Sequence, residues 1–128
     1  MKRSLVMEKY PVCTMTFTKG EGEAADMDAI VAHFLGKIEA DPKAAMIGVF
    51  DHYAHTQSIG GEIAPEIKAA KNIVFCFGPM LPSPAILAVR PRSIGVAETD
   101  GGFVVTFLEA PAPQINEKME NWVKELAK

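Results

Sequence analysis

The stretch FDHYAHT, residues 50–56, places an aspartate and two histidines at the end of an apolar run. Imidazole carries protons near neutral pH and ligates metals, and a neighbouring carboxylate can orient it. The preceding AAMIGVF favours extended chain through this segment. On a strand, alternate side chains share a face, so Asp51, Tyr53 and His55 point one way and His52 the other. A regular strand therefore cannot bring both histidines to one metal. No third ligand stands nearby in the chain either, and zinc needs three or four. Neither a metal site nor a cofactor is expected. Two readings stay open: Asp51 orients His55, or His52, as an acid/base; or one histidine is a satisfied core group and the other faces solvent.

A second group is cationic. Between Glu66 and Glu98 the chain has no acidic residue, whereas Lys68, Lys71, Arg90 and Arg92 fall inside that window. Pro91 stiffens the backbone between the arginines of RPRS, and each guanidinium offers a planar fork to carboxylate or phosphate. Ser83-Pro84 reads as a cap followed by proline at the first helical position, with amides free to meet an anion. An anionic ligand held by Arg90, Arg92 and Ser83, with Tyr53 and Cys76 lining the same pocket, is one expectation. The alternatives are arginines paired with Glu98, Glu109 or the last helix, and arginines at a dimer contact.

Several classes are excluded. The net charge is −3 without a cluster of Lys and Arg, which leaves no positive footprint for nucleic acid. The apolar segment after MKR stops at Glu8, so no export signal is expected, and no run approaches the ~20 residues that span a bilayer. That places the chain in a reducing cytoplasm, where Cys13 and Cys76 remain buried free thiols, with a reactive Cys76 as the alternative. GGE and TKGEGE lack the lysine and context of a phosphate loop, and no Gly-x-Ser-x-Gly elbow occurs. The seven methionines read as core filler.

The elements that must position these groups follow from periodicity. Residues 11–18 alternate and are rich in Val, Thr and Phe, as a strand is. Asp26 caps a helix whose Met27, Ile30, Val31, Phe34, Leu35 and Ile38 form one apolar stripe, ended by Asp41-Pro42. His33 lies beside that stripe as a surface or boundary residue. AAMIGVFDHYAHT predicts a second strand, residues 65–70 a helical turn, NIVFCFG a buried strand, and Ser83 to Val89 a short helix. Residues 93–110 read as a hairpin turning at Asp100-Gly101-Gly102, whose glycines supply positive backbone angles. Ile115, Met119, Trp122, Val123 and Leu126 then mark an amphipathic helix.

This order resembles the small bacterial domains grouped as domain of unknown function 302. FDHYAH resembles that family's strand ending in Asp-His. IVFCFGPM resembles its buried strand closing in Phe-Gly before a proline. The Asp-Gly-Gly hairpin running into FLEAP resembles its last two strands. The likeness covers residues 11–111. It departs where Gly78 and Pro79 are adjacent, since the family usually has an asparagine between them, and where the arginine pair replaces a more apolar approach. It implies a β-α-β-β-α-β-β fold and a homodimer, favours His52 over His55, and carries no settled activity.

The expectation is thus one α+β domain over residues 1–128. It has an antiparallel-rich sheet, helices on one face and a C-terminal helix. Its function is to bind a small anionic ligand between the DHYAH and RPRS segments. The alternatives are an enzyme using His52 or His55 with Asp51 on an acidic substrate, and a structural or dimeric interaction protein. No membrane or nucleic-acid partner is expected.

Overall fold

Strict side-chain alternation sorts this chain's strand residues into two sets, and that sorting builds the molecule. The computed structural model describes residues 1–78 and 80–128. Six strands form one sheet: β1 (Lys2–Val6), β2 (Tyr10–Thr18), β3 (Ala44–Asp51), β4 (Ala69–Phe77), β5 (Arg92–Glu98) and β6 (Gly102–Leu108). Their spatial order is β1-β2-β6-β5-β4-β3, every neighbour antiparallel. One set of side chains, including Cys13, Phe17, Ile73, Phe75, Phe77, Ile94, Val96, Phe103, Val105 and Phe107, is buried. Helices α1 (Met27–Ala40) and α3 (Pro113–Lys124) cover that face. Burying each such Phe or Ile is worth about 1.5–3 kcal/mol, so this single layer holds the fold. The fold is α+β, and no described helix is long and apolar enough to cross a membrane.

α1 begins as expected, with Asp26 Oδ1 accepting the Ala29 amide at 2.8 Å, and buries Met27, Ile30, Phe34 and Ile38. It stops at Asp41, ahead of Pro42. α3 buries Met119, Trp122 and Val123, and Leu126 follows in a short 3-10 turn. Trp122 stacks at 5.2 Å from Phe77 and 5.7 Å from Phe75, as a core residue.

One strand is added and three local expectations are corrected. The N-terminal residues form β1, an edge strand that the sequence does not announce because its side chains are exposed on both faces. The second predicted strand stops at Asp51, and His52–Ser58 is a helix, α2. No helix forms at residues 65–70, where β4 already starts at Ala69. The β5–β6 turn does not use positive angles at Gly101 or Gly102. Gly102 is needed for a different reason: a Cβ there would stand 1.9 Å from the Phe17 carbonyl oxygen.

Candidate functional site

α2 changes the geometry of the DHYAH segment. Asp51 is its N-cap, and Oδ1 takes the Ala54 amide at 2.9 Å. The carboxylate is thereby committed to the helix terminus. Neither His52 nor His55 has a carboxylate partner among the described residues. A strand would separate the two histidines. The helix instead sets them three residues apart on one side, with ring centres 6.3 Å from each other and each 5.4 Å from Phe50. Both are exposed, and Tyr53 is half-buried. His52 has its own partner, since Nδ1 lies 3.0 Å from Asn72 Oδ1. An amide oxygen only accepts, so Nδ1 is the donor of this pair.

The RPRS segment is divided between two environments. Arg90 Nη1 donates to the Met80 carbonyl at 2.6 Å and its guanidinium lies over Gly78. Ser83 is exposed and makes no capping hydrogen bond to the 3-10 turn Pro84–Val89. Pro79, where the sequence departs from the DUF302 pattern, lies outside the described residues. Arg92 is 8% exposed on the helix-covered side. The β5–β6 ladder ends at Gly95 and Thr106, and beyond that point Arg92 Nη2 donates to the Leu108 carbonyl. Its Nε is buried and has no partner among the described residues. Burial pushes the guanidinium below its ordinary pKa. The two arginines therefore do not form one fork, and Arg92 and His52 are carried on opposite sides of the sheet.

What faces His52 is the uncovered side. In register across the strands lie Lys2, Thr14, Thr106, Gly95, Asn72 and Phe50. The next row holds Ser4, Val12, Leu108, Ser93, Val74 and Gly48, and Cys76 sits beyond, its thiol donating to the Phe77 carbonyl at 3.2 Å. Lys2 is the one charge in these two rows. A hollow of about 260 Å³ opens here, lined by Val6, Val12, Asn72, Ser93, Gly95, Thr106, Phe107 and Leu108. It lies over the gap where β5 and β6 part, and the Arg92 guanidinium reaches that gap from the core side through Leu108. Thr106 donates its hydroxyl to the Cys13 carbonyl at 3.1 Å, so it can accept from Thr14 at 3.2 Å. His52 holds the Asn72 oxygen, which leaves the Asn72 amide nitrogen beside Gly95. The Asn72 NH2 and the Ser93 hydroxyl are the donors turned to the hollow.

A family model described as "Family of unknown function (DUF6858)" matches residues 1–128. The chain belongs to this family. Among solved structures, this DUF6858 chain is similar to the crystal structure of an uncharacterized conserved DUF302 protein from Bacillus stearothermophilus. That likeness has a TM-score of 0.59 and 12% identity, covering 91% of this chain and 92% of that one. At such identity the match shows the fold, and it extends the DUF302 resemblance past the local motifs. No curated protein matches the chain.

Asn72, Ser93, Thr106, Val6, Val12 and Leu108 were not singled out from the sequence. The DUF6858 chain does carry a signal for them: the outward positions of β5 and β6, Ser93, Gly95, Ala97, Val104 and Thr106, have no charge. A solvated sheet face ordinarily alternates apolar with polar residues, many of them charged.

Proposed function

We propose that this chain is a single-domain binding module whose site is the hollow on the uncovered sheet face, and that its ligand is a small anion. A carboxylate on a short apolar body fits the hollow's chemistry. Asn72 and Ser93 offer donors to its oxygens, and Val6, Val12 and Leu108 give an apolar wall. The observation that carries this reading is Arg92, a buried cation with no carboxylate partner among the described residues, whose Nη2 donates to the carbonyl of Leu108, a residue that lines the hollow. An unpaired buried charge costs several kcal/mol, and an anion across the floor of the hollow offsets that cost. The reading also suits a cytoplasmic setting, because Cys13 and Cys76 are free thiols on opposite faces of the sheet.

A thermal-shift titration with small carboxylates and inorganic phosphate tests it. A ligand at 100 times its dissociation constant adds about 2.7 kcal/mol of stability. The shift should vanish in Asn72→Ala and Arg92→Met. If no anion raises the midpoint of the native protein, the reading is wrong.

A homodimer is the second reading, favoured by Val6, Phe50 and Leu108 on the same uncovered face, exposed at 46%, 44% and 46%. Apolar side chains gathered on a face whose two central rows carry Lys2 as their one charge mark an interaction surface. Sedimentation equilibrium should give a dimer that dissociates in Leu108→Lys.

A further inference from the structure

We propose that β3 is an association edge, on which a second copy of this chain lays its own β3 antiparallel and continues the sheet across the pair. The two ends of the sheet differ. β1 is short and carries Lys2 and Arg3, charges of the kind that keep an edge from pairing. β3 runs from Ala44 with no charge before its last residue, Asp51, and no strand meets its outer backbone groups. Met46, Ile47, Val49 and Phe50 are all exposed along it. An open apolar edge of this kind is a template for another strand. It is a separate surface from the face that carries Leu108.

The occupant is a second β3 because the strand complements itself. Lys43 precedes the uncharged run and Asp51 ends it, and neither joins an ion pair among the described residues. Antiparallel copies bring each Lys43 to the Asp51 end of the other, whereas parallel copies would set like charges together. The faces match as well. A bulge at Ile47 shifts the register with β4. Met46 and Val49 thereby share the helix-covered side with Phe75 and Ile73, while Ala45 and Phe50 share the uncovered side with Cys76 and Asn72. A two-fold axis between Ile47 and Gly48 sets Met46 opposite the second copy's Val49 and Ala45 opposite its Phe50. Each apolar side chain then meets one on its own face, and the two bulges oppose each other at the axis. The helix layer fits the same join. α1 packs over β3 and β4, with Val31 and Leu35 half-buried on the flank away from His33 and Lys37, which face α3 and the turn that follows it. Strands stand about 4.8 Å apart, so a paired copy sets the two α1 axes roughly 10 Å apart, where helices pack.

Sedimentation equilibrium of the full chain over a concentration series tests it. The native protein should form a dimer. Ile47→Lys sets two ammonium groups beside the axis and should raise the dissociation constant by about tenfold or more. Lys43→Glu should weaken the dimer too, whereas Leu108→Lys should leave this contact unchanged. All three positions are exposed, so the variants should fold, which circular dichroism checks. Hydrogen exchange gives a reading on the native chain alone: the β3 amides should exchange more slowly as concentration rises through the dissociation constant. A native chain that stays monomeric, a dimer that Ile47→Lys leaves intact, or β3 amides indifferent to concentration overturns the proposal. A dimer that only Leu108→Lys dissociates overturns it as well, and supports the contact on the uncovered face instead. Anion binding in the hollow is a separate measurement and stands or falls apart from these outcomes.

Discussion

His33 and Trp122 are joined across the core: Nε2 of the imidazole lies 2.8 Å from the Trp122 carbonyl, while Nδ1 lies 2.5 Å from the Glu23 carboxylate. The His33 side chain is 4% exposed, so a residue placed at the boundary by its helical position is a buried strut between α1, α3 and the loop before α1. Leaving a buried acceptor unsatisfied costs about 1–3 kcal/mol. His33→Ala should therefore lower stability by about 2–3 kcal/mol in urea unfolding. Glu23→Gln should cost less, since Glu23 is over half exposed.

Acid should loosen the same layer through Asp41. The Lys118 ammonium, 2.6 Å away, holds the Asp41 carboxyl below its ordinary range, and Lys37 does the same for Glu125. A carboxyl whose folded pKa is depressed stabilises fully above its unfolded value of about 4. That contribution is lost as pH falls through the lower, folded value. Unfolding free energy measured from pH 6 downward should decline below about pH 4–5. Asp41→Asn should flatten that decline, and an unchanged slope would remove Asp41 as its cause.

Arg92 separates stability from binding. Replacing a buried cation by an apolar side chain of similar length relieves desolvation but strands the Leu108 carbonyl. Arg92→Met should thus unfold within about 1 kcal/mol of the native protein. Arg92→Ala should fall by about 2–4 kcal/mol, because it also leaves a cavity. A large loss in the methionine variant would show that the charge itself supports the fold.

Gly102 allows β6 to approach β2 at the hairpin. With a Cβ only 1.9 Å from the Phe17 oxygen, Gly102→Ala must shift backbone. Equilibrium unfolding should report a loss of about 1–3 kcal/mol. Gly101→Ala, with open space at its Cβ, should stay near native stability.

Much of the architecture was legible in the sequence. The Asp26 cap, the stripe from Met27 to Ile38, the buried runs of β4 to β6 and the terminal helix all follow from local chemistry and period. Where the second strand stops was not legible. FDHYAHT has too few residues for a period, so the choice between strand and helix falls to context. Asp51 can cap a helix once the chain has crossed the sheet, and the register with β4 ends at Lys71. That one boundary decides whether His52 and His55 oppose or meet.

By itself the sequence determined the two faces of the sheet, since alternation depends only on neighbouring residues. Which face the helices cover, and which other strands adjoin a given outward residue, is non-local. Asn72, Ser93 and Thr106 come from three strands, and Val6 and Val12 from a hairpin far away in the chain. Arg92 read as a surface fork because an isolated guanidinium prefers water. Only the packed sheet, with β5 and β6 parting beside it, placed that cation in the core.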